Sequence, residues 1–123
     1  MEESSKDILL HDWVIEEIQS QYSKEFNEIK VNKFQSKINP LGEIYPDIIF
    51  GNHGQVVMIG EVEVDSTIND ESILRWKLSM TQGVNVILFV PKERLKLVRG
   101  ICWDNKLIEK IKVSSFSVDI PIK

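Results

Sequence analysis

The chain has 123 residues, 42% of them hydrophobic and 28% charged, which is enough for one globular core and too little for two. A formal net charge of −4 weighs against a broadly basic nucleic-acid coat, and no apolar run approaches the roughly 20 residues that a membrane helix needs. The lone cysteine, Cys102, has no partner for an internal disulfide. With the acidic, polar stretch Met1–Lys6, which is wrong for a signal peptide, it predicts a reducing, cytoplasmic setting.

In chain order, Leu10, Val14, Ile18 and Tyr22 recur every four residues, with His11 and Ile15 on the same face, and predict a helix from Asp7 to Tyr22. Glu28 to Phe34 reads as a first strand of mixed pattern. Asn39-Pro40-Leu41-Gly42 is a turn, and Pro46 to Phe50 a second strand, with proline tolerated at its first residue. Gly51-Asn52-His53-Gly54 predicts a tight hairpin into a third strand, Val56 to Val64. Thr67-Ile68-Asn69-Asp70 has the spacing of a capping box, so a second helix is expected from there to about Thr81, closed by Gly83.

Asn85 to Val90 is continuously apolar, as in a strand buried on both faces. Pro91 then opens a third helix, Lys92 to about Trp103, whose inner face is Leu95, Val98, Ile101 and Cys102. Lys112 to Ile120 alternates as an edge strand. The order αβββαβαβ predicts a single α/β domain, residues 1–123, with a three-strand meander and a helical crossover into a buried fourth strand.

Asp47, Glu61 and Glu63 stand out against this plan, because acids are poor residues for a strand interior. Glu61, Glu63 and Asp65 alternate, so they share a face, with Glu61 and Glu63 about 6.6 Å apart along the strand. Like charges at that spacing require a cation, a proton or a basic partner, and a divalent metal supplies all the compensation at once. An exposed strand face would explain Asp47, a good turn residue after proline, but not two acids on a strand expected at the centre of the sheet.

Pro46-Asp47 in the second strand and Glu61-Val62-Glu63 in the third, within an αβββαβ order, resemble the PD-(D/E)xK nuclease superfamily. The likeness spans roughly residues 7 to 103. It implies a restriction-endonuclease-like αβββαβ core with a mixed central sheet, here followed by a C-terminal helix and strand. It also implies magnesium or manganese held by Asp47 and Glu61 beside a scissile phosphate, and nucleic acid, first of all DNA, as the partner. Gly60 to Thr67, followed by Arg75-Trp76-Lys77, also looks like an uncharacterised archaeal group within that superfamily. Where the family carries lysine two residues after the acid, this chain has Glu63. Some restriction endonucleases of the superfamily have Glu there and are active.

That substitution sets the remaining expectations. Glu63 is a candidate ligand for a second metal or a base toward a metal-bound water. Lys77, near the middle of the apolar arc of the second helix, is a candidate replacement for the absent lysine, against the alternative that it snorkels outward. Since the first helix often supplies another acid in this superfamily, Glu17, at the edge of the apolar stripe, is preferred to Glu16. His11 reads as a packed core histidine, His53 as an exposed turn residue, Trp13, Trp76 and Trp103 as packing, and Gln82 as near substrate by position alone.

Residues 92–112 hold seven Lys or Arg against three acids, whereas the first thirty residues hold eight acids and three lysines. The functional expectation is a magnesium-dependent phosphodiesterase acting as a DNA endonuclease. Its rival, favoured by the missing lysine and a pI near 5.2, is a non-catalytic module of the same fold that binds nucleic acid or protein. A homodimer whose partner chain supplies basic surface is a third expectation.

Overall fold

A computed structural model describes residues 5–34 and 36–118. The elements run α1 (Ser5–Tyr22), β1 (Glu28–Val31), β2 (Ile48–Asn52), β3 (Gln55–Val62), α2 (Ser72–Met80), β4 (Asn85–Pro91), α3 (Leu95–Asp104) and β5 (Ile111–Phe116). Single 3-10 turns at Asp65–Thr67 and Lys92–Arg94 precede α2 and α3. The five strands form one mixed sheet in the order β1-β2-β3-β4-β5, so the chain has an α/β fold. The β1–β2 and β2–β3 pairs are antiparallel, the β3–β4 and β4–β5 pairs parallel.

One core lies on each face of the sheet. Val14, Ile15 and Ile18 of α1 pack on Ile48, Phe50, Val62, Ile87 and Phe89. On the other face Trp76 of α2 and Val98 and Cys102 of α3 pack on Ile49, Ile59, Val86, Leu88 and Val90. The expected inner face of α3 is borne out, with Leu95 and Ile101 partly buried beside it. The continuous apolar run of β4 serves both cores, as a strand covered on both faces must.

Several boundaries shift for local reasons. β1 ends at Val31 rather than at Phe34 because the buried Asn32 takes over: its amide donates to the carbonyls of Asn39 and Pro46, and its Oδ1 accepts from Ile38 and Asn39 N–H. The second helix begins at Ser72, not near Thr67, because the Thr67 hydroxyl is already bonded to Glu63 and to Val64 N–H. The edge strand is observed over Ile111–Phe116, and the expected extension beyond 118 lies outside the described residues.

The β2–β3 hairpin turns through His53 and Gly54, both at positive φ (53° and 78°), the geometry that suits the right-handed twist of paired strands. Its register then slips. Asn52 pairs with Gln55 and Gly51 with Val56, but Phe50 pairs with Met58, which leaves Val57 as the extra residue of a β-bulge. Beyond the bulge Ile49 pairs with Ile59 and Ile48 with Gly60. Continued by one residue, this register sets Asp47 opposite Glu61.

Candidate active site

At that end of the hairpin Asp47 and Glu61 meet. The Asp47 carboxylate accepts the backbone N–H of Val62 at 2.8 Å through Oδ2. The same oxygen lies 3.1 Å from Nε2 of His11, a buried residue of α1. His11 Nδ1 in turn lies 3.0 Å from Oδ1 of Asp12, whose carboxylate also accepts the N–H of Phe34. His11 is thus clamped between two carboxylates. Burial works to lower its pKa, but hydrogen bonding and charge from Asp47, then from Asp12, raise it to about 9.

Glu61 is half-buried, and its carboxyl is hydrogen-bonded to that of Asp47. Loss of solvation, followed by the negative charges of Asp47 and Glu63, pushes its pKa well above the usual carboxylate range. A hydrogen bond between two carboxyl groups needs one proton, and Glu61 is the group that keeps it.

Glu63 has a different environment, although it lies on the same face. It is buried, at 1% exposure, and three donors converge on it: Arg75 Nη1 at 2.8 Å, Trp76 Nε1 at 2.7 Å and the Thr67 hydroxyl at 2.6 Å. A carboxylate is tolerated at that depth because it is paired and its lone pairs are satisfied. Both donors on α2 come from adjacent residues, so Glu63 anchors the middle of that helix to the sheet.

Asp47, Glu61, Glu63 and Arg75 line a cleft of about 790 Å³, whose far wall is the loop from Asp65 to Glu71. Arg94 pairs with Asp65 of that wall at 3.1 Å. The sequence candidates therefore separate. Asp47 and Glu61 come together at the cleft, while Glu63 lies in its wall with its oxygens engaged. Lys77 is exposed and outside the cleft lining, pointing outward from α2 as snorkelling requires. Glu17 is exposed and borders a separate groove between α1 and β5. Glu16 pairs with Lys33, Gln82 packs near Gly42, and His53 is exposed in its turn.

Among the described residues no group of three or more His, Cys, Asp or Glu side chains is arranged to hold a metal ion. The Asp47–Glu61 pair nevertheless fits a hard divalent cation that keeps most of its water, since such ions are commonly held by one or two carboxylates. The raised pKa of Glu61 fits too, because a cation would replace the proton that now separates the two acids. Glu63 does not fit as a metal ligand while Arg75, Trp76 and Thr67 hold it.

Two contributors have no role at the site in the sequence reading. His11 lies on the core stripe as expected, but its ring is held by the Asp47 and Asp12 carboxylates. Arg75 carried no functional signal of its own; the clue was a strand acid, Glu63, without a sequence-adjacent cation. No protein-family model, curated protein or solved structure matches the chain, and the site is defined by its own geometry.

Proposed function

We propose that this protein is a divalent-metal-dependent phosphodiesterase acting on nucleic acid, with DNA as the first substrate to test. The observation that carries this reading is the Asp47–Glu61 carboxyl pair, which the β2–β3 register sets opposite each other in the lining of the cleft. Asp47 and Glu61 would hold the cation, magnesium or manganese. When bound, such an ion polarises a phosphoryl oxygen and lowers the pKa of its water. His11 and the Val62 N–H fix the orientation of Asp47, and Glu61 would have to be deprotonated to serve as a ligand. The Glu63–Arg75 pair keeps the cleft wall in shape and leaves a cation facing the opening.

The test combines binding and cleavage. Thermal unfolding in EDTA and in millimolar Mn²⁺ or Mg²⁺ is expected to show metal-induced stabilisation of the wild type that Glu61→Gln lacks. A plasmid and single-strand cleavage assay is expected to show metal-dependent nicking abolished by Asp47→Ala. Activity unchanged in that variant would place the chemistry elsewhere.

A non-catalytic nucleic-acid- or protein-binding module is the second reading. It is favoured by one observation: the residue standing where the motif lysine is expected, Glu63, is sealed by three donors, and Lys77 is outside the cleft. Binding of nucleic acid without metal stabilisation or cleavage would select it.

A further inference from the structure

We infer that Arg75 is the phosphate-binding group of the cleft and that the buried Glu63 is its positioning residue. This rests on the phosphodiesterase reading and extends it to the contact that receives the strand.

Acids dominate the cleft: Asp47, Glu61, Asp65, Asp70 and Glu71 all line it, and Arg75 is the one Lys or Arg among the described residues that does. A polyanion entering such a space meets repulsion except near that guanidinium, the metal and the His11 imidazole, and His11 is already engaged between Asp12 and Asp47. Arg75 is also held in a way that a stability-only ion pair does not require. Its Nη1 donates to Glu63, and its Nη2 donates to the Thr67 carbonyl and to the Ser72 hydroxyl at 3.1 Å. These bonds use three of five N–H donors, and the side chain remains 47% exposed. The guanidinium is fixed by the wall while its remaining N–H groups stay available, so an arriving phosphate orders little that is not already ordered.

Glu63 completes the device from below. At 2% side-chain exposure its charge is withdrawn from the cleft and committed to Arg75, Trp76 and Thr67. An acid in that position would ordinarily repel phosphate. Here its effect on an incoming anion runs the opposite way, through the geometry it imposes on Arg75.

The experiment is fluorescence anisotropy of a labelled single-stranded oligonucleotide in EDTA across a salt series, on the full chain. Arg75→Gln is expected to weaken binding at least about tenfold, the loss of one charge-assisted hydrogen bond. The slope of log affinity against log salt should fall by roughly 0.7, the value for one single-strand phosphate contact. Arg75→Lys should keep most of the slope while binding more weakly. Glu63→Gln, despite removing a negative charge, is expected to weaken binding.

Wild-type affinity and slope in Arg75→Gln, or tighter binding in Glu63→Gln, overturns the inference. Melting curves report whether each variant folds. If Arg75→Gln does not, the Arg75 Nε–H resonance of the wild type decides: it should shift on titration with the oligonucleotide, and no movement overturns the contact. Because these readouts need neither metal nor turnover, they fail separately from the cleavage and metal-stabilisation tests.

Discussion

His11 shows how much a single side chain can couple stability to the site. Its pKa of about 9 lies above the ordinary 6.5, so the folded state binds the proton more tightly than the unfolded state. The resulting stabilisation, on the order of 3 kcal/mol, is fully present below pH 6.5 and is lost as pH rises through about 9. In EDTA the wild type should therefore lose melting temperature between pH 6.5 and 9. His11→Gln, which cannot carry the charge, should be less stable at pH 6 and flatter over that window. A wild-type melting profile parallel to the variant's would refute the clamp. Glu61 acts in the same direction over a different window: its raised pKa means that stability falls as pH climbs above the usual carboxylate range. Glu61→Gln needs no shared proton, and calorimetric melting in EDTA at pH 7.5 should find it more stable than the wild type.

Among the elements, the β2–β3 hairpin decides whether a site exists. Without the bulged Val57, the turn register that pairs Asn52 with Gln55 would set Asp47 opposite Gly60. A slip of one residue sends side chains to the other face of a sheet, so Glu61 would lose its partner. Gly60 contributes in a second way. A Cβ built there would lie 3.2 Å from the rings of both Phe50 and Phe89, which close over the bare backbone. Gly60→Ala is expected to cost about 1–3 kcal/mol in urea unfolding through overpacking, with a weaker metal response because the neighbouring Glu61 shifts. An unchanged denaturation midpoint would show that the two rings move aside freely.

Across the whole molecule, β2, β3 and β4 contribute side chains to both cores, so neither helical layer can detach without exposing the sheet it shares with the other. Unfolding in urea should accordingly be a single transition, with Trp fluorescence and far-UV circular dichroism coinciding. Non-coincident curves would indicate that the α1 layer melts apart from α2 and α3. The uneven charge along the sequence is also resolved at this scale. Of the seven basic residues from Lys92 to Lys112, Arg94 pairs with Asp65 of the cleft wall, and most of the others lie on the exposed surfaces of α3 and the turn after it.

Hydrophobic periodicity alone determined the order of helices and strands, the double burial of β4 and the core stripe of α1, because those depend on local spacing and burial. The excess of carboxylates at Asp47, Glu61 and Glu63 was equally legible, since acids in a central strand conflict with their surroundings whatever the fold. Tertiary structure alone decided which of those acids face one another. The bulge at Val57 joins Asp47 to Glu61, the depth of the β3 end encloses Glu63, and the late start of α2 at Ser72 brings Arg75 and Trp76 to it while Lys77 points outward. Register, depth and helix phase are set by contacts between distant segments, and no local pattern encodes them.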